Sequence, residues 1–217
     1  MLTETASQTA GPYLHIGMMP KAAGIDVPWG EGWNRLAGPA AQGQRIRLEG
    51  IIHDGTGAPV RDAQVEIWQA NAHGRYRHPE DRQDKPLDPA FKGFGRTVAD
   101  FGTGLWWFET VKPGPVAGRH GTVMAPHINV AIFARGINVH LNTRIYFADE
   151  PEANAADPVL RLIEQPHQRL GRRHGRDAGL RRSMAARHFH GRRKITGIEK
   201  GLQGDAIVFV LLGPALP

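Results

Sequence analysis

The chain has 217 residues, 41% of them hydrophobic, enough for one domain with a real core. It contains no cysteine, which excludes disulfides, zinc-thiolate sites and thiol nucleophiles. The formal charge of +6 resembles that of a polyanion binder only until the charges are located, because outside one segment the chain holds 17 basic against 20 acidic residues.

In chain order, the opening "MLTETASQTAGPYLHIGMMP" lacks a charged leader and a continuous apolar run, so no signal peptide is expected. No apolar stretch is long enough to span a membrane, and the expectation is a soluble, cytoplasmic protein. Residues 1–44 read as an N-terminal arm and loop segment, with a weak helical signal at "EGWNRLA". Strands follow at short intervals. "RIRLEGIIHD" (45–54) alternates apolar and polar, "GTGAP" turns, and "AQVEIWQA" (63–70) continues. "GFGRTVAD" and "LWWFETV" flank "FGTG" as a further strand-turn-strand signature, and "HINVAIFA" and "VHLNTRIYF" surround the tight "RGIN" link. "PEANAADPVLRLIEQ" (151–165) carries a local helical signal. Together, residues 45–165 predict an all-β domain, a β-sandwich core with the arm and a few short helices attached. Residues 166–200 form an atypical basic segment, in which positions 167–194 hold ten Lys or Arg against Asp177 alone. Phe189 is the only aromatic residue there, thin for stacking on single strands, so the run reads as a solvated loop and not as a nucleic-acid surface. "DAIVFVLL" within 201–217 reads as a final strand and tail.

No nucleophile-elbow serine motif, phosphate-binding loop, zincin helix or dinucleotide fingerprint occurs. Tyr76, His127, Arg135, His140 and Arg144 stand out as hard-metal or anion groups near the strands. His127 and Asn129 are two apart, so on a strand they share a face. A second imidazole would make that pair a metal-ligand signature; an amide oxygen is a poor substitute. Each residue also has an ordinary reading. Tyr76 suits a rim aromatic, His127 a hydrogen-bonding strand histidine, and Arg144 a partner for a neighbouring acid. These residue types alone point to a β-sandwich and leave its role between binding module and enzyme.

The order of the blocks "SQTAGPYLHIG", "VEIWQANAHGRY", "PLDPAFKGFGRT", "TVKPGPV", "APHINVAIFARGIN" and "TRIYFADEPEANAADPVL" resembles the intradiol ring-cleaving dioxygenases, over residues 7 to 165. The resemblance implies a β-sandwich, an alpha/beta heteromer, and a non-heme ferric iron at the interface between the two chains. It implies cleavage of 3,4-dihydroxybenzoate with O2 to 3-carboxy-cis,cis-muconate, in the β-ketoadipate pathway. Iron-bearing beta chains of the family hold Fe(III) with two tyrosinates and two histidines. Phenolate is a hard anionic ligand, and the metal offsets the cost of deprotonating a phenol of pKa about 10. Carried onto this chain, the four positions fall on Tyr76, Val116, His127 and Asn129, and an arginine near the histidines falls on Met124. Val116 cannot ligate and Asn129 is a weak neutral donor, so the constellation is vestigial and follows the alpha-type pattern. The implied Fe(III) is then held by a beta subunit, and no catalytic or metal residue is expected in this chain alone.

The resemblance assigns substrate contacts instead to Gly11, Pro12 and Tyr13 of the arm and to Arg135 of "FARG". A carboxylated catechol needs a cation, and a guanidinium supplies one with defined geometry. Gly11 and Pro12 suit a close backbone wall, and Tyr13 offers an aromatic face with a hydroxyl. The Arg-Gly-His-rich segment resembles nothing in the family. Either a local change of reading frame in a GC-rich gene or an insertion fits its composition. The reading set against a dioxygenase subunit is a non-catalytic sandwich module with a polyanion-binding tail.

Overall fold

The structure, a computed structural model, describes residues 3, 9–11, 13–28, 32–54, 57–137 and 139–162, and the backbone of two strands at Gly197–Glu199 and Ile207–Leu211. The arm forms a short helix, α1 (Leu14–Met18), and a 3-10 turn at Pro20–Ala23 that ends on Gly24 in left-handed conformation, φ 78°. "EGWNRLA" is not helical. Arg35 and Ala37 form isolated bridges to Glu109 and Phe91, and Leu36 between them is fully buried. The Leu36 N–H donates to the Glu109 carbonyl at 2.9 Å and its own carbonyl accepts from Lys92 N–H at 3.0 Å, so neighbouring chain segments satisfy this backbone. Gly95 makes room for the crossing, since a Cβ there would meet Leu36 Cδ1 at 2.5 Å and the Trp33 carbonyl at 2.9 Å.

The strands are β1 (Arg45–His53), β2 (Gln64–Gln69), β3 (Phe94–Val98), β4 (Leu105–Val111), β5 (Val116–Ala117), β6 (Val123–Met124), β7 (His127–Phe133), β8 (Leu141–Phe147), β9 (Gly197–Glu199) and β10 (Ile207–Leu211). One sheet has the order β4-β1-β9, a second β10-β8-β7-β2-β3, and β5 pairs with β6; the pairs are antiparallel. Alternation turns one side of each sheet inward. Leu48, Ile52, Trp106 and Phe108 from the first sheet share one cluster with Val65, Ile67, Ile128, Val130, Ile132 and Ile145 from the second. That shared cluster makes a sandwich of the two sheets, and each such side chain contributes about 1.5–3 kcal/mol by leaving water.

Two connections differ from the expected strand-turn-strand reading. β1 and β2 lie in different sheets, and so do β3 and β4, so "GTGAP" and "FGTG" carry the chain between layers. Asp100 shapes the second turn, its Oδ1 accepting from the N–H groups of Gly102 at 3.1 Å and Thr103 at 2.7 Å. β7 and β8, around "RGIN", are paired directly. The expected helix over 151–165 is shorter: α2 (Pro151–Ala156) stops before Asp157-Pro158, and a 3-10 turn follows at Leu160–Leu162. The basic run 167–194 lies outside the described residues.

Candidate functional site

Strand β7 places His127 and Asn129 on one face, and the sheet register decides what they meet. Tyr146 of β8 stands opposite His127, while Asn129 lies between Trp68 of β2 and Arg144 of β8. Tyr76 arrives from the loop after β2. Gly74, at φ 82°, lets that loop close, because a Cβ there would meet the Pro115 carbonyl at 1.9 Å. The Tyr76 ring then stacks on Trp68 with centroids 5.7 Å apart and an interplanar angle of 17°.

A hydrogen-bonded chain links these side chains. His127 is fully buried, with Nδ1 2.7 Å from the Ala125 carbonyl, which assigns the ring proton to Nδ1. Burial, reinforced by the Arg144 cation, pushes its pKa down from 6.5 to about 4, so the imidazole is neutral at neutral pH. Nε2 is therefore an acceptor for the Tyr76 hydroxyl at 3.4 Å. Asn129 Nδ2 donates to that hydroxyl and to the Trp68 carbonyl, both at 3.1 Å. Asn129 Oδ1 accepts from Arg144 Nε at 3.0 Å. Arg144 Nη1 reaches Met124 Sδ and the Tyr146 hydroxyl, each at 3.5 Å. Among the described residues Arg144 thus donates to an amide, a thioether and a phenol, where the sequence suggested an acid. The Tyr146 hydroxyl donates to Asp157 Oδ1 at 3.3 Å, and burial raises its pKa to about 12. Burial also raises the Tyr76 phenol above its usual value, which favours the neutral form.

This arrangement does not fit a ferric ion. Tyr76 and His127 converge, but both Asn129 side-chain atoms are committed, and an aliphatic side chain occupies position 116. Val116 pairs with Met124 across β5 and β6. Trp68, Tyr146 and Asp157 belong to the network, and no sequence motif marked them. His140 stays apart, stacked on Phe133 at 5.1 Å.

The other candidate group lies at the β7–β8 turn. Gly136 N–H donates to Thr9 Oγ1 at 2.9 Å, tying the arm to the turn that carries Arg135. The Arg135 side chain is 68% exposed and its Nε is ion-paired to Asp62. Tyr13 is 79% exposed, and a Cβ on the half-buried Gly11 would meet nothing within 4 Å, so this chain itself does not demand glycine there. Pro12 lies outside the described residues. Arm and Arg135 turn are brought together, and no hydrogen bond among the described residues joins them to the Tyr76–Arg144 network.

A dioxygenase family profile matches residues 31–170. The protocatechuate 3,4-dioxygenase alpha chain of Pseudomonas putida is 53% identical over 78% of this chain and 82% of its own length. That of Burkholderia cepacia is 42% identical over 75% of this chain and 79% of its own. The beta chain of Burkholderia cepacia is also 42% identical, but over 54% of this chain and 50% of its own. The alpha-chain similarity reaches further along the sequence than the beta-chain similarity. This chain belongs to the intradiol dioxygenase family, a family of iron-dependent oxidoreductases.

Proposed function

We propose that this chain is the alpha subunit of a protocatechuate 3,4-dioxygenase, working in the cytoplasm as an alpha/beta heteromer whose beta subunit holds Fe(III). One observation carries the reading. The chain keeps alpha-chain similarity over 78% of its length, while two of the four ligand positions, Val116 and Asn129, cannot hold ferric iron. Among the described residues no helix is long and apolar enough to cross a membrane. We assign residues 1–44 to the arm, 45–165 to the sandwich, 166–200 to the basic segment, and 201–217 to the final strand and tail.

In this reading Gly11, Pro12, Tyr13 and Arg135 border the substrate pocket from the alpha side. Tyr13 has its ring in the open to cover an aromatic substrate, and the Arg135 guanidinium neutralises the substrate carboxylate. The Asp62 carboxylate already pairs with the exposed Arg135 cation, so it and a substrate carboxylate compete for the same charge. Co-expression with a beta-type chain tests the assignment. The two chains should co-purify with stoichiometric iron, tyrosinate-to-iron colour and O2 uptake on 3,4-dihydroxybenzoate, while this chain alone shows none of these. Colour in the isolated chain, or failure to bind a beta-type chain, would overturn the proposal.

A further inference from the structure

Lost ligands do not fully explain how the former metal centre is closed. The Tyr76 hydroxyl is 3.4 Å from His127 Nε2 and 3.1 Å from Asn129 Nδ2, so three side chains still converge as donors to one ion would. Asn129→His alone would therefore assemble a phenol and two imidazoles there, a donor set suited to ferric iron and zinc. What remains in the way is a charge. Arg144 stands opposite Asn129 in the register and directs Nε to its Oδ1 at 3.0 Å, with Nη1 held by Met124 and Tyr146. Its cation is one hydrogen bond from a ligand position, on a half-buried side chain where solvent screens poorly.

We propose that Arg144 is the resident cation of the former metal centre. Its guanidinium occupies the donor atom at position 129 and repels an incoming metal ion, so the site stays closed even when a ligand is restored there. It also supplies the positive charge that orients Asn129 towards the Tyr76 hydroxyl, so the network is ordered without a metal. This rests on the ligand positions carried over from the family and on contacts within the chain, and is independent of the partner and substrate assigned above.

The test uses the full-length chain as wild type, Asn129→His, Asn129→His/Arg144→Met and Asn129→His/Arg144→Lys. Each is stripped with chelator and titrated with zinc chloride and, separately, ferric citrate. Circular dichroism checks folding, and bound metal and the phenolate-to-iron absorption band are read. Asn129→His should bind metal no better than wild type. The Met double variant should bind zinc about 10- to 100-fold tighter than Asn129→His, the range over which outer-shell groups tune metal affinity, and should show the band with iron. The Lys double variant, which keeps the charge, should behave like Asn129→His. Should Arg144→Met not fold, Arg144→Gln keeps a donor towards position 129 and serves for the same comparison. Equal metal affinity in Asn129→His and the neutralised double variant would overturn the proposal. So would a folded, neutralised variant that binds no metal, or a Lys variant that binds as well as the Met one.

Discussion

Arg135 is held in the structure by a partner it can afford to lose. Its pair with Asp62 joins side chains that are 68% and 20% exposed, and pairs of this kind contribute about 0–1 kcal/mol. A substrate carboxylate held by a charge-assisted hydrogen bond gains about 1.5–3 kcal/mol, enough to win the exchange. Arg135→Ala should therefore lower kcat/KM for the carboxylated catechol roughly ten- to a hundredfold in the assembled enzyme. A catechol without the carboxylate should be nearly unaffected, since it never engages the guanidinium. Equal losses on both substrates would assign Arg135 to structure. Asp62→Ala, by contrast, should cost less than about 1 kcal/mol in urea denaturation of the chain.

The end of α2 depends on a single buried carboxyl group. Asp157 is fully buried; its Oδ1 accepts from the N–H groups of Val159 at 2.8 Å and Leu160 at 2.9 Å and from the Tyr146 hydroxyl. Its Oδ2 accepts from Ala125 N–H at 2.9 Å, just before β7. One residue thus joins the helix end, β8 and the entry to the strand that carries His127 and Asn129. Asp157→Ala would leave buried donors without partners and should cost roughly 3 kcal/mol or more. Equilibrium denaturation measures it, and a loss below about 1 kcal/mol would show that the hub is replaceable. In the sequence the helical signal runs past Asp157-Pro158 to residue 165, whereas the helix stops at Ala156. The long-range bond to Ala125 depends on how α2 packs, which no local pattern encodes.

For the molecule as a whole, His127 links stability to pH. Its imidazole is buried neutral with a pKa lowered from 6.5 to about 4, so the unfolded chain binds the proton more readily. The stabilisation is complete above pH 6.5 and drains away as pH falls towards about 4. The loss amounts to roughly 3 kcal/mol, at about 1.4 kcal/mol per pKa unit. His127→Gln should flatten that part of the stability profile, and parallel profiles for the two proteins would refute the link. Much of the architecture was legible in the sequence. "RIRLEGIIHD" alternates apolar and polar and marks β1, and the two-residue spacing of His127 and Asn129 puts them on one face of β7. Partners were not legible. A Gly-rich turn reads the same whether its strands pair or part into two layers, and the Trp33, Leu36, Ala37 spacing imitates a helix while the backbone crosses between strands. Arg144 looked like a partner for an acid because only the β7–β8 register sets it opposite Asn129.

The turns that change layers have a kinetic consequence. β7 and β8 are joined by a short link and can zip together locally, whereas β1 must wait for β4, with Arg45 meeting Val111 and Ile51 meeting Leu105 far along the chain. Closing so distant a pairing sacrifices chain entropy before any contact repays it, which slows folding. The hairpin bearing His127, Asn129 and Arg144 is thus expected to take shape early, and the layer built on β1 and β4 to close over the core last, leaving apolar surface open to misassembly in the interval.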